Sequence, residues 1–359
     1  MNKKIIFSGG GTGGHIFPAI NLMKYFFNKE YKVILVTDNR GSNFIKNNLK
    51  FKSYILRTKT PTNKNLFKKF FSFFFILYST LKCIIILKKE KPDLIIGFGG
   101  YVSFPICFAA KVFNIPLIIY ENNMVLGRAN KYLALFSRKI FLAKKIEKDY
   151  PKKLIKKTCI VGTILNEDII NYPILKKTYQ KETFSIAVLG GSQGAEIFGK
   201  IVPEAIKMVQ EMGYKIEINQ QCLEKQKSSI INFYNKNNIK NYVFDFEKNI
   251  LKLVSSSNLV ITRCGASTTA ELVHLLTPFI AIPLPNSVDN HQYLNAKYYE
   301  DRGCCWILEQ SSFNSKNLFN LIIEGIKNKN KLEKITENMK KNRIEDVYIN
   351  IENNIKEII

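Results

Sequence analysis

The sequence predicts an α/β protein with two Rossmann-like parallel-sheet domains that face each other across a cleft. Short apolar runs that suit buried strands alternate with segments that suit helices, which is the pattern of a parallel sheet covered on both faces. A glycine-rich turn follows the first strand, and a second one recurs roughly 180 residues later, about one domain length. The length of 359 residues is enough for two domains with cores of their own.

The first half of the chain contains five predicted strands. They are Lys3–Ser8, Tyr31–Thr37, Pro92–Gly97, Ile115–Tyr120 and Lys139–Ala143. A glycine run at 9–14 follows the first strand, and we place Pro18 in the first turn of a helix that ends near Asn28, because proline is favoured there. Residues 1–162 are assigned to this domain.

The same pattern restarts at Phe184, where a strand leads into a second glycine turn at 190–195 and then into a helix running to about Met212. Further apolar runs are Lys215–Asn219, Tyr242–Phe244, Leu259–Thr262 and Phe279–Ile282. Residues 163–343 therefore form the second predicted domain. We expect the polar last helix, about 344–359, to pack back on the first domain.

The composition is strongly basic, with 54 Lys and Arg against 29 Asp and Glu, and a formal net charge of +25. Such a charge suits nucleic acid or an anionic membrane surface, and compositional drift accounts for part of it as an alternative. Because no RNA-binding aromatic motif, zinc-finger pattern or basic heptad region occurs, no nucleic-acid partner is predicted.

The cysteines and histidines argue against a metal site. None of the seven cysteines forms a C-x-x-C pair, and the three histidines are far apart in the sequence, so we predict neither a metal nor a disulfide framework. The start of the chain does not have the pattern of a signal peptide. A reducing, cytoplasmic setting is predicted.

Residues 67–87 are about as long and apolar as a membrane span, which needs some 20 residues. Since they lie between strand candidates, we predict a crossover helix that returns the chain to the sheet. The side expected to face the core comprises Phe67, Phe70, Phe71, Phe74, Leu77, Tyr78, Leu81 and Ile85. Phe73 and Ile76, with Cys83 and Ile86, are then in surplus. Together with Phe67, Lys68 and Lys69 this surplus predicts an interfacial membrane patch, and an ordinary core helix is the alternative.

The first glycine run has the spacing Gly9-x-Gly11-x-x-Gly14 and opens a helix directly after a strand. This spacing is typical of a dinucleotide site, and Asp38 follows the second strand, where a ribose-binding acid would lie. An NAD-dependent oxidoreductase is therefore one alternative. Glycines by themselves indicate only that the backbone approaches an anion at a helix N-terminus. The second glycine turn argues against nicotinamide, and no cofactor is predicted.

Two polar stretches in the second half suit a sugar nucleotide. Residues 264–271 (CGASTTAE) would place amides and hydroxyls at a helix start, where they could bind a diphosphate. Glu271 lies about one and a half helical turns in, where a carboxylate can accept hydrogen bonds from two ribose hydroxyls. Residues 289–292 (DNHQ) follow a strand and offer amide and imidazole groups to sugar hydroxyls. A solvated helix glutamate and a plain polar loop are the alternatives.

These motifs together resemble the MurG family of bacterial N-acetylglucosaminyltransferases. They are GGGTGGHIFPA at 9–19, GFGGYVSFP at 97–105, YENN at 120–123, GGSQGA at 190–195, GASTTAE at 265–271 and DNHQYLNA at 289–296. The resemblance implies a two-domain GT-B fold and transfer of N-acetylglucosamine from UDP-N-acetylglucosamine to undecaprenyl-linked lipid I, giving lipid II. It also implies a peripheral protein on the cytoplasmic face of the plasma membrane. A glycosyltransferase acting on another lipid acceptor, such as diacylglycerol, is the nearest alternative.

The resemblance further implies which residues form the site. Donor-binding residues would be Thr12, Gly13, Gly14 and Asn123 from the first domain, with Ser192, Ala266, Ser267, Thr268, Thr269, Ala270, Glu271 and Gln292 from the second. His15 is the expected general base, because imidazole exchanges a proton near neutral pH; Glu121 is the reserve, and a structural His15 is the alternative. Asn166 lies where the family usually has arginine and lacks the charge and the forked donors of a guanidinium.

Overall fold

The computed structural model describes residues 3–44, 51–56, 66–146, 150–175, 177, 179, 182–191 and 196–359. In the helix that begins at Leu66, side chains are described from residue 75 onward. The chain folds as two compact units. Unit 1 consists of Met1–Asn166 with Ile344–Ile359, and unit 2 consists of Glu167–Arg343.

Unit 1 is built on a parallel sheet whose described strands have the order β3-β2-β1-β4-β5-β6-β7. The strands are β1 (Lys4–Ser8), β2 (Lys32–Thr37), β3 (Lys52–Ile55), β4 (Leu94–Gly97), β5 (Leu117–Glu121), β6 (Lys139–Leu142) and β7 (Thr158–Ile160). The helices are α1 (Gly13–Asn28), α2 (Asn39–Asn43), α3 (Leu66–Glu90), α4 (Ser103–Val112) and α5 (Arg128–Leu133). The central strands are buried along nearly their whole length, as expected where helices cover both faces.

Unit 2 repeats this architecture with the strand order β10-β9-β8-β11-β12-β13 among its described residues. The strands are β8 (Thr183–Leu189), β9 (Lys215–Gln221), β10 (Lys240–Phe244), β11 (Leu259–Thr262), β12 (Phe279–Ala281) and β13 (Cys305–Ile307). The helices are α6 (Glu167–Ile170), α7 (Glu196–Glu211), α8 (Glu224–Lys236), α9 (Ile250–Ser256), α10 (Ala266–His274), α11 (His291–Glu300), α12 (Ser315–Lys327) and α13 (Lys329–Lys341). The last helix, α14 (Val347–Lys356), belongs to unit 1.

The predicted fold class, two Rossmann-like parallel-sheet domains, is confirmed. Every predicted apolar run overlaps a strand, with slightly different ends. The sequence does not predict β3, β7 or β13, and all three are edge strands. β3 and β7 are short and only partly buried, so they contain no apolar run that would reveal them.

Pro18 lies in the second turn of α1, so its predicted place in the first turn is wrong. The helix begins earlier, at Gly13, with Thr12 as its N-cap residue. Gly11 adopts a φ of +79°, which glycine tolerates, and this turns the chain into the helix before proline is reached. Pro18 is buried inside the helix and cannot donate a hydrogen bond to the carbonyl of Gly14.

α3 is the predicted crossover helix between β3 and β4, but its orientation is the reverse of the predicted one. Residues expected on the core side are 48–66% exposed, namely Leu77, Tyr78, Leu81 and Ile85. Cys83 and Ile86, expected in surplus, are buried in the core instead. Because α3 is apolar on almost every side, its sequence gives too little contrast to fix the packed face. Across the described part of the chain, no helix has the length and apolarity that a bilayer span requires.

Candidate active site

The loop between β1 and α1 leads into an open helix N-terminus. A side chain at Gly11 would meet no atom within 4 Å, and Thr12 makes no side-chain capping hydrogen bond. Thr12 and Gly14 are exposed, and Gly13 is half-buried. Among the described residues, none accepts a hydrogen bond from the N–H groups of Gly13 and Gly14, so these groups are available to an anionic ligand.

His15 lies in the first turn of α1, with its ring half-buried. Its Nδ1 is 2.8 Å from the carbonyl oxygen of Phe98. Because a carbonyl can only accept, Nδ1 carries the proton, and Nε2 of the neutral ring keeps a lone pair. A side chain at Gly99, whose φ is +87°, would come within 3.2 Å of the ring. Glycine at this position therefore makes room for the imidazole.

Glu121, the reserve base, is 1% exposed at the end of β5. Its Oε1 accepts hydrogen bonds from the main-chain and side-chain N–H groups of Asn123, both at 3.1 Å. Its Oε2 accepts from the main chain of Gly127 at 2.8 Å and from the side chain of Asn130 at 2.9 Å. With both oxygens bonded inside the protein, Glu121 orders the loop of residues 121–130 rather than facing a substrate.

Asp38 does not have the surroundings of a ribose-binding acid. Its Oδ1 accepts hydrogen bonds from the N–H groups of Gly11, at 3.1 Å, and Gly41, at 2.8 Å. One oxygen of the carboxylate therefore binds the glycine loop of unit 1 and caps α2. This contact disfavours the oxidoreductase alternative, which needs Asp38 for a nucleotide.

In unit 2, the N-terminus of α10 offers a second set of amides. Gly265 is the N-cap residue and makes no side-chain cap. The helical hydrogen bonds start with the N–H of Thr269, which donates to Gly265. The N–H groups of Ala266, Ser267 and Thr268 precede that point, and the Ser267 and Thr268 side chains are half-buried. This arrangement suits a diphosphate.

Two of the predicted donor residues, Thr269 and Ala270, lie on the packed side of α10. Thr269 is fully buried, and its hydroxyl donates to the carbonyl oxygens of Gly265 and Ala266, both at 3.2 Å. Ala270 is also buried. Both residues lie on the face of α10 that packs into the core of unit 2, because they are three and four residues after the buried Ala266. Both side chains are thus buried in unit 2, and their contact with the donor stays a prediction.

Glu271 keeps part of its surface in contact with solvent. Its carboxyl group has no hydrogen-bond or ion-pair partner among the described residues, and desolvation raises its pKa to about 7. A carboxyl group surrounded by protein but without donors is stabilised when a ligand supplies hydroxyl groups. The Glu271 carboxyl group is therefore suited to ribose hydroxyls, and the contact itself stays a prediction.

Gln292 connects two loops at the carboxyl edge of the unit 2 sheet. Its Oε1 accepts from the N–H groups of Cys264, at 3.2 Å, and Leu284, at 3.0 Å. The side-chain nitrogen makes no hydrogen bond to any described residue and can donate to a ligand. Asp289 and Asn290 both have positive φ, 52° and 53°, a conformation that these residue types tolerate. They turn the chain so that α11 begins just before Gln292.

The second glycine turn follows β8. The N–H of Gly190 donates to Oε1 of Gln221 at 3.1 Å, and Gly191, with a φ of +78°, has open space where a side chain would be. Ser192 lies outside the described residues, so its role stays a prediction. The sequence reasoning did not single out Gln221, whose side chain holds this turn. Gln221 is the last residue of β9, and its place at the carboxyl end of a strand is the signal that could have found it.

Comparison with known proteins adds the decisive observation. Sequence models of glycosyltransferase family 28 match the chain, the N-terminal domain at residues 5–142 and the C-terminal domain at 185–351. A protein of Pelagibacter ubique is 36% identical, with 100% of this chain and 99% of that protein covered. One of Rickettsia bellii is 35% identical, with 99% of this chain and 100% of that protein covered. Both are named UDP-N-acetylglucosamine--N-acetylmuramyl-(pentapeptide) pyrophosphoryl-undecaprenol N-acetylglucosamine transferase.

This chain belongs to the MurG family. A crystal structure of MurG from Acinetobacter baumannii superimposes with a TM-score of 0.82 at 24% identity, covering 99% of each chain. That structural likeness confirms the predicted GT-B type of fold. Membership in the MurG family confirms the resemblance drawn from the motifs, and it makes the protein a glycosyltransferase.

Proposed function

We propose that the protein transfers N-acetylglucosamine from UDP-N-acetylglucosamine to the muramyl 4-hydroxyl of undecaprenyl-linked lipid I, forming lipid II. The observation that carries this proposal is the full-length match to curated relatives named for this transfer. The geometry of each unit supports it, because an open helix N-terminus lies at the carboxyl edge of each parallel sheet, where α/β proteins bind ligands.

In unit 2, three groups on α10 and α11 suit the donor. The amides of Ala266, Ser267 and Thr268 would bind the diphosphate, and the positive end of the α10 dipole would stabilise the charge that grows there as UDP leaves. Glu271 would accept hydrogen bonds from the ribose hydroxyls, and the Gln292 side chain would donate one. Thr12, Gly13, Gly14, Asn123 and Ser192 stay predicted donor contacts, and the effect of Asn166 on donor binding stays a prediction.

In unit 1, His15 suits the general base. The oxygen of the acceptor hydroxyl forms a bond to the anomeric carbon, the bond from that carbon to the diphosphate breaks, and UDP leaves with the electron pair. Nε2 of His15 accepts the hydroxyl proton, since Nδ1–H is bonded to Phe98. Attack opposite the leaving group inverts the anomeric configuration.

An undecaprenyl-linked acceptor stays in the bilayer, so the enzyme has to reach the membrane. We define the α3 surface as Leu77, Tyr78, Leu81, Lys82, Ile85, Lys88 and Lys89, all of which are exposed. Its apolar side chains suit the headgroup boundary, and lysines next to anionic lipid gain about 1 kcal/mol each. We propose that this surface binds the anionic cytoplasmic face of the plasma membrane reversibly.

The α3 surface replaces part of the predicted membrane patch. Ile76 is only half-buried, and it lies nearer the packed side, three residues before the buried Ser79 and seven before the buried Cys83. Its predicted membrane contact is therefore reassigned to its exposed neighbours. The side chains of Phe67, Lys68, Lys69 and Phe73 lie outside the described residues, and their membrane contacts stay predictions.

A product assay tests the proposed function. Purified protein is incubated with labelled UDP-N-acetylglucosamine and either lipid I or diacylglycerol, and the lipid products are separated. We expect labelled lipid II and no glycosylated diacylglycerol; the reverse result would assign the protein to another lipid acceptor. Calorimetry with UDP-N-acetylglucosamine, UDP and NADH in parallel checks the donor, and we expect heat of binding from the first two only.

A further inference from the structure

Asp38 is a site residue that the proposed donor and acceptor roles leave unused. It follows β2 directly, and its Oδ1 accepts hydrogen bonds from Gly11 in the β1–α1 loop and from Gly41 in α2. A single carboxylate oxygen thus joins the glycine loop to the neighbouring strand and helix. Hydrogen bonds from main-chain N–H groups to a carboxylate are charge-assisted and stronger than those between neutral groups.

The glycine loop is packed tightly on both sides at this point. A side chain at Gly10 would lie 2.8 Å from Oδ1 of Asp38, 2.9 Å from Val102 and 3.0 Å from the Thr37 hydroxyl. A side chain at Gly100 would lie 3.0 Å from the carbonyl oxygen of Gly10. The loop is therefore held between Asp38 on one side and the β4–α4 connection on the other.

The glycine loop is followed directly by the N-terminus of α1, which carries the proposed general base His15. Gly11, with its positive φ, is followed by Thr12, the N-cap residue of α1, and His15 lies in the first turn of that helix. The orientation of the Gly11 peptide therefore sets where α1 starts and where the imidazole meets Phe98. A shift of about 1 Å in such a group can lower the rate of a reaction a hundredfold.

We propose that Asp38 is a positioning residue for the glycosyl transfer, holding the Gly11 peptide so that the α1 N-terminus and His15 face the substrate. This inference rests on the proposed function. Asp38 acts through the loop and not by touching the substrate. Since Oδ1 makes both hydrogen bonds, an asparagine carbonyl oxygen at this position can accept the same two bonds, although without the charge that strengthens them.

The test compares Asp38→Ala with Asp38→Asn and with a matched control, Asp93→Ala. Asp93 also accepts a main-chain hydrogen bond from β1, from the N–H of Lys4 at 2.8 Å, but at the other end of that strand. Each variant is assayed for kcat and donor KM with lipid I, for UDP affinity by calorimetry, and for amide hydrogen exchange in a peptide covering residues 9–16.

We expect Asp38→Ala to lower kcat about tenfold to a hundredfold, with a smaller change in UDP affinity and faster exchange in residues 9–16. Asp38→Asn should restore both kcat and protection, and Asp93→Ala should change neither. Loss of activity in Asp38→Asn with normal protection would overturn the proposal, because the charge would then act on the substrate directly. Wild-type activity and protection in Asp38→Ala would also overturn it. Absence of transfer by the wild type would refute the proposed function instead. The amide exchange of residues 9–16 would then be the remaining test of whether Asp38 holds the glycine loop.

Discussion

His15 donates a hydrogen bond from Nδ1 to the main-chain oxygen of Phe98, 2.8 Å away. This contact fixes the tautomer of the ring, so that Nε2 is the basic nitrogen. Phe98 and Gly99 belong to the β4–α4 connection, and a side chain at Gly99 would lie within 3.2 Å of the imidazole. Two glycine motifs that are far apart in the sequence thus meet at one histidine.

Replacing His15 by alanine should lower kcat by roughly 10²–10⁴, the usual contribution of a general base, and change the donor KM much less. The reason is that the donor contacts proposed on α10 and α11 remain. Steady-state kinetics with lipid I at several pH values measures both constants. Turnover close to that of the wild type at all pH values would make His15 a structural residue.

The variant Glu121→Gln separates the two candidate bases. Each carboxylate oxygen of Glu121 accepts two hydrogen bonds. In the glutamine variant, the side-chain NH₂ group would replace one of these oxygens. Because NH₂ cannot accept a hydrogen bond, two N–H donors would then lose their partner. We expect a loss of roughly 1–3 kcal/mol in the free energy of unfolding, measured by denaturant titration, and a pH–rate profile of unchanged shape. A stable variant that has lost the low-pH limb of the profile would instead support Glu121 as the base.

Glu271 should make the stability of the unliganded protein depend on pH. Burial raises its pKa from 4.5 to about 7, so the folded state binds this proton more tightly than the unfolded state does. The resulting stabilisation is complete below about pH 4.5 and is lost as the pH rises through 7. Glu271→Gln, which stays neutral, should therefore melt higher than the wild type at about pH 8, by on the order of 1–3 kcal/mol in stability. Near pH 4 the two melting temperatures should agree; equal melting at both pH values would contradict the raised pKa.

The variant Glu271→Ala tests the ribose contact itself. Losing a hydrogen-bonded charged acceptor costs about 1.5–3 kcal/mol, or roughly tenfold to a hundredfold in UDP affinity. Calorimetric titration with UDP measures the change. Glu333→Ala on α13 is the matched control, because this exposed glutamate is also on a helix of unit 2. UDP affinity that is the same in both variants would remove Glu271 from the donor site.

The sequence is sufficient to predict the two parallel sheets, because their central strands are apolar runs followed by glycine turns. β1, β4, β8 and β11 are all found in this way, since a strand covered on both faces has no polar alternation. β7, which reads Thr-Cys-Ile at the edge of its sheet, lacks that signal. The two glycine turns also locate the carboxyl edges of the sheets, where the site residues gather.

The sequence does not determine which side of a helix faces the core. α3 is apolar on nearly all sides, and only packing shows that Cys83 faces the core while Ile85 faces outward. On α10, the motif predicts six consecutive donor contacts, but the helix turns Thr269 into the core and leaves Glu271 only partly exposed. The hydrogen bond from the N–H of Gly11 to Asp38 likewise joins residues 27 positions apart, and the sequence pattern does not predict it.

Chelation should leave transfer intact. In the described part of the chain, no group of three or more His, Cys, Asp or Glu residues is arranged to hold a metal ion. The proposed mechanism assigns the diphosphate charge to the amides of α10 instead. Activity is measured in EDTA and again after adding Mg²⁺ or Mn²⁺. Loss of activity in EDTA that either ion restores would overturn this assignment.

The α3 surface should bind anionic vesicles in a salt-sensitive way. We expect the double variant Leu81→Ser/Ile85→Ser to weaken binding, because it removes two exposed apolar side chains without opening the core. Lys82→Glu/Lys88→Glu should weaken binding most at low ionic strength, where the attraction of lysines to headgroups is least screened. Co-sedimentation with neutral and anionic vesicles measures both effects. Phe73→Ser and Lys68→Glu/Lys69→Glu test the predicted amino-terminal part of the patch in the same assay.

Control substitutions on unit 2 show whether the loss of vesicle binding is specific to the α3 surface. Met212→Ser removes an exposed apolar side chain of similar size, and Lys340→Glu reverses an exposed charge on α13. Neither should change vesicle binding, and all variants should keep UDP affinity, because the donor groups lie on α10 and α11. The α3 variants should lose activity on lipid I in vesicles in proportion to their loss of binding. Equal binding to neutral and anionic vesicles at every salt concentration would refute the role of the lysines, and wild-type binding by the serine variant would refute the role of the apolar side chains.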